Sequence, residues 1–134
     1  MNIAYVTHTR FPTEKAHGHQ IARVCSAMKH LKHTVTLVSP NIFTDVRQDS
    51  RKYYHLKTDL HVQKLPIFDA LSSPFVPGVL AFHFTMHSYR KALKTYFTSH
   101  NFDIAYVRSP AILPAVLAAK VPVVLELHSL PKRN

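Results

Sequence analysis

The chain reads FDIAYVRSP over residues 102–110 and VPVVLELH over residues 121–128. Each block begins after a turn signal, continues as a run of apolar and β-branched residues, and ends in side chains that can bind or react. Parallel strands buried on both faces have this composition, and they deliver such side chains to the carboxyl edge of a doubly wound sheet. The N-terminus repeats the pattern, because NIAYVT at residues 2–7 runs directly into HTR at residues 8–10. Three predicted strands therefore direct polar groups toward one edge.

Strands and helices alternate along the rest of the chain. Apolar residues at helical spacing predict a helix after the first loop, and they are Ile21, Val24, Cys25, Met28 and Leu31. Further strands are predicted over residues 33–39, 60–65, 103–107 and 123–127, helices over about 79–99 and 111–119, and a surface loop over 41–59. This alternation predicts one α/β domain over residues 1–134, a Rossmann-like doubly wound parallel sheet in the order 3-2-1-4-5.

The helix predicted over residues 79–99 has two different faces. Its apolar stripe consists of Val79, Phe82, Met86, Tyr89, Leu93, Tyr96 and Phe97. Its cationic flank consists of His83, His87, Arg90, Lys91 and Lys94, with Leu80 and Phe84 beside these cations. A basic flank of this kind is often only a solvated face, but cations mixed with apolar residues are also typical of helices that bind a membrane surface.

The net charge indicates anionic partners. Seventeen Lys and Arg residues against seven Asp and Glu residues leave a charge of +10 with all eleven histidines neutral. An anionic membrane surface, phosphorylated small molecules and nucleic acid would all satisfy this charge. The chain lacks the interleaved aromatic residues of a single-stranded nucleic-acid platform and has no recognition-helix motif, which argues against nucleic acid.

The cellular compartment and the role of the single cysteine can also be predicted from the sequence. No apolar stretch approaches the roughly 18 residues needed to cross a bilayer. Met1 leads directly into a strand without a signal peptide. We therefore expect a cytoplasmic protein. The single cysteine, Cys25, lies on the apolar face of its predicted helix, so we expect a buried structural thiol rather than a nucleophile.

Polar side chains at the predicted strand ends form the candidate binding site. They are His8, Arg10, Arg108, Ser109, Glu126 and His128. Such side chains suit an anionic, hydroxyl-rich ligand, although strand ends are also polar simply because they meet water. A carboxylate inside the apolar run at Glu126 would be costly to bury alone, so we expect a basic neighbour such as Arg108.

The loop at Lys15, Ala16, His17 and Gly18 precedes a predicted helix, whose free amides and dipole favour an anion. The two glycines of the chain, Gly18 and Gly78, are too few for a dinucleotide fingerprint and too far apart for a P-loop, which excludes both classes. His83 and His87 are spaced to share a metal, but no carboxylate or thiol nearby offers a third ligand. We therefore predict neither a metal nor a resident cofactor.

Four blocks together resemble the N-terminal half of family 4 glycosyltransferases of the GT-B fold, in particular bacterial members that act on cell-surface polysaccharides. These blocks are residues 3–18, 35–40, 102–110 and 123–128. The resemblance implies retaining transfer of a sugar from a nucleotide-sugar to an acceptor held by the N-terminal domain. It assigns Lys15 to Gly18 to the donor-phosphate loop and His128 to the acceptor side, with Arg108 and Ser109 at the equivalent strand end.

The family recognises its donor through two glutamates of a C-terminal domain, whereas the glutamates of this chain are Glu14 and Glu126. The resemblance therefore implies a truncated GT-B architecture that lacks the donor domain, contains no catalytic residue and is inactive alone. Its basic surface would seat the enzyme on the inner membrane leaflet, near lipid-linked acceptors. The alternative is a non-catalytic basic α/β module for phosphorylated glycans or nucleic acid. A metal-dependent GT-A transferase is less favoured, because no Asp-x-Asp occurs.

Overall fold

A computed structural model describes residues 1–130 and residue 132. The strands are β1 (Asn2–Val6), β2 (Thr34–Pro40), β3 (His61–Leu65), β4 (Ile104–Val107) and β5 (Val123–Leu125). The helices are α1 (Ala16–His30), α2 (Ser50–Tyr53), α3 (Gly78–Ser99) and α4 (Leu113–Leu117). All strand pairs are parallel, and the order β3-β2-β1-β4-β5 confirms the predicted Rossmann-like sheet.

The sheet is covered on both faces, as a parallel sheet requires. Successive residues of β1 point to opposite faces, so Ile3 and Tyr5 pack toward α1 while Ala4 and Val6 pack toward α3 and α4. The thiol of Cys25 lies in the first of these layers and is fully buried, and burial raises its pKa to about 12. Cys25 is therefore a core residue, as its position on the helix predicts.

The central strands end level with one another. Val6 of β1 pairs with Val38 of β2 on one side and with Val107 of β4 on the other. The buried Tyr89 hydroxyl of α3 donates a hydrogen bond of 2.6 Å to the carbonyl oxygen of Thr7. This bond ties the middle of α3 to the end of β1, so the residues that follow β1 leave the sheet from a fixed position.

The apolar stripe predicted for α3 is wrong over its first two turns. Val79 is 73% exposed and Phe82 is 39% exposed, whereas Ala81 and Thr85 are buried in their place. The Thr85 hydroxyl accepts a hydrogen bond of 3.1 Å from the backbone N–H of Ala70. Small residues on this side allow the preceding segment to pack closely against α3, and the larger side chains point away from the core.

The segment over residues 41–59 is not only a surface loop. It contains α2, which Asp49 caps by accepting a hydrogen bond of 2.8 Å from the backbone N–H of Arg51. Tyr54 and Leu56 follow and are buried against α1. A four-residue helix is too short to show helical periodicity, so its sequence reads as a polar loop.

Three predicted boundaries also change. Leu31 is 69% exposed, because α1 ends one residue before it. The helix predicted over 111–119 is limited to α4, after which Ala119 and Lys120 donate to carbonyls three residues back in tight turns. The last strand ends at Leu125 rather than at residue 127, and the Glu126 N–H donates a further hydrogen bond of 2.9 Å to the Val107 carbonyl.

Candidate functional site

A cavity of about 530 Å³ lies at the carboxyl edge of the sheet, beside the end of β1. Its polar lining comes mainly from the loop between β1 and α1 and consists of His8, Thr9, Arg10, Thr13, Lys15, His17 and Ser72. Its apolar lining comes from the segments after β2 and β3 and from α3, and consists of Ile42, Phe43, Leu71, Phe82 and Met86. Concave sites at this edge are the usual ligand sites of doubly wound sheets.

Hydrogen bonds hold the walls of the cavity in place. The Asp69 carboxylate accepts a hydrogen bond of 3.2 Å from the Phe43 N–H, and bonds of 3.1 Å and 2.5 Å from the N–H and hydroxyl of Ser72. The Thr44 hydroxyl donates a hydrogen bond of 2.7 Å to the Pro12 carbonyl, which joins the segment after β2 to the loop after β1. Hydrogen bonds therefore hold the segment after β2 both to the segment after β3 and to the loop after β1, and together these segments shape the cavity.

The N-terminus of α1 gives the cavity a positive end. Lys15 occupies the N-cap position without a capping side-chain hydrogen bond, and the first turn carries no acidic residue. The Gly18 N–H already donates to the Lys15 carbonyl, so the N–H groups of Ala16 and His17 are the ones left without an acceptor among the described residues, and they carry the positive end of the helix dipole. Arg10 donates a hydrogen bond of 2.5 Å to Glu14, so its charge is partly balanced, whereas Lys15 has no ion pair within residues 1–130.

Two histidines of the cavity present buried ring nitrogens without hydrogen-bond partners, namely Nδ1 of His8 and Nε2 of His17. Burial lowers the pKa of His8 below its ordinary value, and the positive charges of His17 and Arg108 add to this effect. Burial is also the largest cause that lowers the pKa of His17, and the positive charges of Arg108 and Arg10 lower it further. Both pKa shifts favour the neutral rings at pH 7, and an anion bound beside them would favour their protonated forms.

Arg108 stands behind the cavity rather than in its lining. It is only 9% exposed, and its Nη2 donates a hydrogen bond of 3.0 Å to the Gln20 side-chain oxygen on α1, while its Nη1 is buried without a partner. The expected pairing of Arg108 with Glu126 is wrong. The Glu126 carboxylate instead lies 2.6 Å from Nε2 of His128, two residues further along the chain.

The remaining predicted strand-end residues occupy a second, neighbouring position. The Ser109 hydroxyl accepts a hydrogen bond of 3.2 Å from the Ala111 N–H, which is a turn-forming role. His128 is exposed beyond β5, and neither it nor Glu126 lines the cavity. The carboxylate of Glu126 lies close enough to Tyr106 to raise the pKa of that phenol, although burial of the ring is the larger cause. The strand ends therefore hold His8 and Arg10 in one concave site and Glu126 with His128 beside it.

Gly18 has a structural reason to be glycine. A Cβ at this position would lie 2.5 Å from the Tyr54 hydroxyl oxygen and 2.8 Å from the carbonyl oxygen of Thr13. The first turn of α1 can approach the loop and Tyr54 this closely only without a side chain. The predicted phosphate role of Lys15 to Gly18 remains a prediction, and it rests on the helix N-terminus rather than on this glycine.

The predicted membrane face lies on α3 between residues 83 and 94. His83, His87, Lys91 and Lys94 are exposed, and Arg90 is half-buried with its Nε donating to the Met86 carbonyl. None of the helices in the described part of the chain is both long enough and apolar enough to cross a membrane. Within the same residues, His, Cys, Asp and Glu side chains do not gather in groups of three or more that could hold a metal.

Sequence reasoning missed the part of the cavity wall that comes from loops. Phe43 and Leu71 are large apolar residues in segments that otherwise read as polar or proline-rich. Phe43 is 61% exposed and Leu71 is 43% exposed, although both line the cavity. Isolated apolar residues in such segments were the available signal, but contacts between two loops are not encoded in local periodicity.

The fold and the site together define a Rossmann-like α/β domain with a basic cavity at its carboxyl edge. No protein-family model and no curated protein sequence matches the chain. Solved structures do match. The C-terminal domain of a hydrogenase from Pyrococcus furiosus is similar at a TM-score of 0.60 and 13% identity, over 93% of this chain and 89% of that domain.

The second similar protein is UGT2 of Phytolacca americana. Its complex with UDP-2fluoro-glucose and pterostilbene matches at a TM-score of 0.63 and 13% identity, over 94% of this chain and 30% of the UGT2 chain. The apo form matches at a TM-score of 0.62 and 14% identity, also over 30% of its length. Identities this low show the fold alone. The chain has a glycosyltransferase-like fold and corresponds to less than a third of the UGT2 chain.

Proposed function

We propose that this chain is the acceptor-side domain of a retaining glycosyltransferase, which moves a sugar from a nucleotide-sugar to a lipid-linked or polysaccharide acceptor. The observation that carries the proposal is the concave, basic site beside the end of β1 in a glycosyltransferase-like fold. Lys15 and the N-terminus of α1 suit a phosphate group, because fixed amides and a mobile ammonium both favour negative charge.

Hydroxyl recognition falls to the neutral histidines. In its neutral form, each imidazole offers one donor and one acceptor, and both His8 and His17 line the cavity, so a ring nitrogen that faces the cavity can bond a sugar hydroxyl. The contact between His128 and Glu126 offers a second position for hydroxyls at the end of β5. No residue of this chain is assigned to bond breaking, and we propose that a donor-binding domain supplies the groups that hold the nucleotide.

Calorimetry of the chain tests the proposal that the groups which hold the nucleotide belong to a separate donor-binding domain. UDP- and GDP-sugars should bind no more tightly than the millimolar range, because the groups that recognise the nucleotide belong to the proposed donor domain. Glucose 1-phosphate should also bind in the millimolar range, and Lys15→Ser should weaken it severalfold. The matched control is Lys32→Ser at the opposite end of α1. Micromolar affinity for a nucleotide-sugar would contradict the acceptor-side assignment.

A non-catalytic basic module for phosphorylated glycans or nucleic acid is the second candidate. A net charge of +10 attracts anions by itself, so this function would not require a donor domain. Binding to a single-stranded oligonucleotide at physiological salt separates the two. The acceptor-side proposal predicts weak binding that Lys15→Ser leaves unchanged. Tight binding that is lost in Lys15→Ser would favour the second candidate.

We propose in addition that α3 meets an anionic membrane surface, which would place the domain at the inner leaflet of a membrane. The helix contains no Asp or Glu, and its cations Lys91 and Lys94 are exposed. Near its N-terminus, Leu80 is 51% exposed and Phe84 is 56% exposed. Exposed apolar side chains next to an all-cationic flank fit the chemistry of anionic headgroups above acyl chains.

A further inference from the structure

The cavity beside β1 has two chemically different sides. The loop between β1 and α1 contributes basic and polar groups, among them Lys15 and His17. The opposite wall is apolar and contains Phe43, Leu71 and Phe82. A bare sugar phosphate would need the first side but would cover only a small part of the second, because the C–H face of one sugar ring is small compared with an alkyl chain or a larger ring system.

The apolar wall is costly to leave empty. Phe43 is 61% exposed and Phe82 is 39% exposed, and each ring faces the cavity from a different segment. Asp69 bonds the Phe43 N–H and the turn at Ser72, next to Leu71, at the same time. The Ala70 N–H of that same segment donates to the Thr85 hydroxyl of α3, the helix that carries Phe82, so the wall is held together by hydrogen bonds. A fixed wall of exposed apolar side chains is typical of a surface that a ligand covers.

From this arrangement we infer that the cavity binds an amphipathic anion, a molecule whose phosphate or carboxylate adjoins an apolar chain or ring system. The inference rests on the proposed acceptor function and specifies the class of acceptor. It gives the N-terminus of α1 to the anion of the acceptor, in place of the donor phosphate that the family resemblance assigns to Lys15 to Gly18. The anionic group lies at Lys15 and the N-terminus of α1, where positive charge is concentrated. The apolar part lies against Phe43 and Phe82, so a lipid phosphate fits the site better than a free phosphosugar does.

Binding of three small probes to the intact chain tests the inference. Inorganic phosphate carries the anion alone, octyl glucoside carries the alkyl chain with an uncharged sugar head group, and octyl phosphate carries both the chain and the anion. The two amphiphiles are used below their critical micelle concentrations. We expect octyl phosphate to bind about tenfold or more tightly than inorganic phosphate, because burying several methylene groups adds that much. Octyl glucoside should bind more weakly than octyl phosphate by a similar factor.

Variants separate the two walls. Phe82→Ser and Phe43→Ser should each remove most of the alkyl gain while leaving the affinity for inorganic phosphate unchanged. Lys15→Ser should weaken both anions. The matched control is Leu80→Ser, which removes an apolar residue that is exposed on the same helix but does not line the cavity. Far-ultraviolet circular dichroism would establish that each variant is folded before its affinity is compared.

The possible results separate failure of this inference from failure of the proposed function on which it rests. Equal affinities for inorganic phosphate and octyl phosphate would overturn the amphipathic ligand and leave an anion site in place. The same reduction in Leu80→Ser as in Phe82→Ser would also overturn it, because the alkyl chain would then bind the outside of α3. Failure of all anions to bind would instead remove the anion site on which the proposed function depends.

Discussion

The backbone of Gly18 and the hydroxyl of Tyr54 touch so closely that a Cβ at position 18 would stand 2.5 Å from the Tyr54 oxygen. That hydroxyl donates a hydrogen bond of 2.7 Å to the Thr13 carbonyl and accepts one of 2.8 Å from the Thr13 N–H. The contact thus joins α1, the loop after β1 and the residue after α2. It fixes the loop that carries the basic side of the cavity.

Replacing this glycine should destabilise the domain. We expect Gly18→Ala to cost about 1–3 kcal/mol in the free energy of unfolding, because the Thr13 carbonyl in the way is backbone and cannot swing aside. Urea denaturation measures the change. Gly78→Ala is the matched control, since nothing lies within 4 Å of a Cβ there, and it should leave stability unchanged or raise it by up to about 1 kcal/mol. Equal losses in both variants would contradict the packing role of Gly18.

The stability of the domain should fall on mild acidification because of His8 and His17. Their pKa values in the folded chain lie below the ordinary value of 6.5, so the unfolded chain binds protons first as the pH falls. Well above pH 6.5 both states are neutral at these rings and the effect vanishes. Below it, stability decreases until the folded rings themselves protonate. Thermal unfolding between pH 7.5 and pH 5.5 measures this loss.

Two variants isolate the cause of the acid sensitivity. His8→Gln should reduce the loss between pH 7.5 and pH 5.5, while a control exchange of the exposed His30 to Gln should not. Arg108→Gln should raise the pKa values of both cavity histidines, because the Arg108 charge lowers both. An unchanged pH profile in His8→Gln would show that other groups govern the response.

Binding to membranes should depend on the cations of α3. Anionic vesicles should bind the chain, and added salt should weaken the interaction, because exposed charges are screened. The double variant Lys91→Glu with Lys94→Glu should reduce binding several-fold in a sedimentation assay. The control is Arg23→Glu with Lys57→Glu, which changes the charge equally at exposed positions on another part of the surface. Similar binding to neutral vesicles would rule out an electrostatic membrane face.

The sheet order could be predicted because its signals are local. β-Branched runs such as that of β4 and helical spacing such as that of α1 both appear within a single element, and right-handed crossovers then leave one simple order. The positions of His8 and Arg10 at the end of β1 follow directly from the strand they terminate. Their place in a cavity follows from the general rule about carboxyl edges.

The parts that could not be predicted depend on contacts between distant segments. Glu126 pairs with His128 rather than with Arg108, because Arg108 is drawn to Gln20 on α1. The burial of Ala81 and Thr85 in place of Val79 and Phe82 depends on how the segment before α3 packs on it. Periodicity shows which side chains share a face of a helix. It does not show which of those faces meets the core in the first turns of that helix.

The most direct test of the basic cavity is a nuclear magnetic resonance titration of the chain with glucose 1-phosphate, following the imidazole and backbone amide signals. An anion site at the end of β1 predicts saturable shifts at His8, His17 and the amides of residues 15–18, together with a rise in the pKa of both rings, because a bound dianion favours their protonated forms. Lys15→Ser should weaken this response. Shifts centred instead on His83 and His87 of α3, or no saturable shift at His8 and His17, would contradict an anion site at the end of β1.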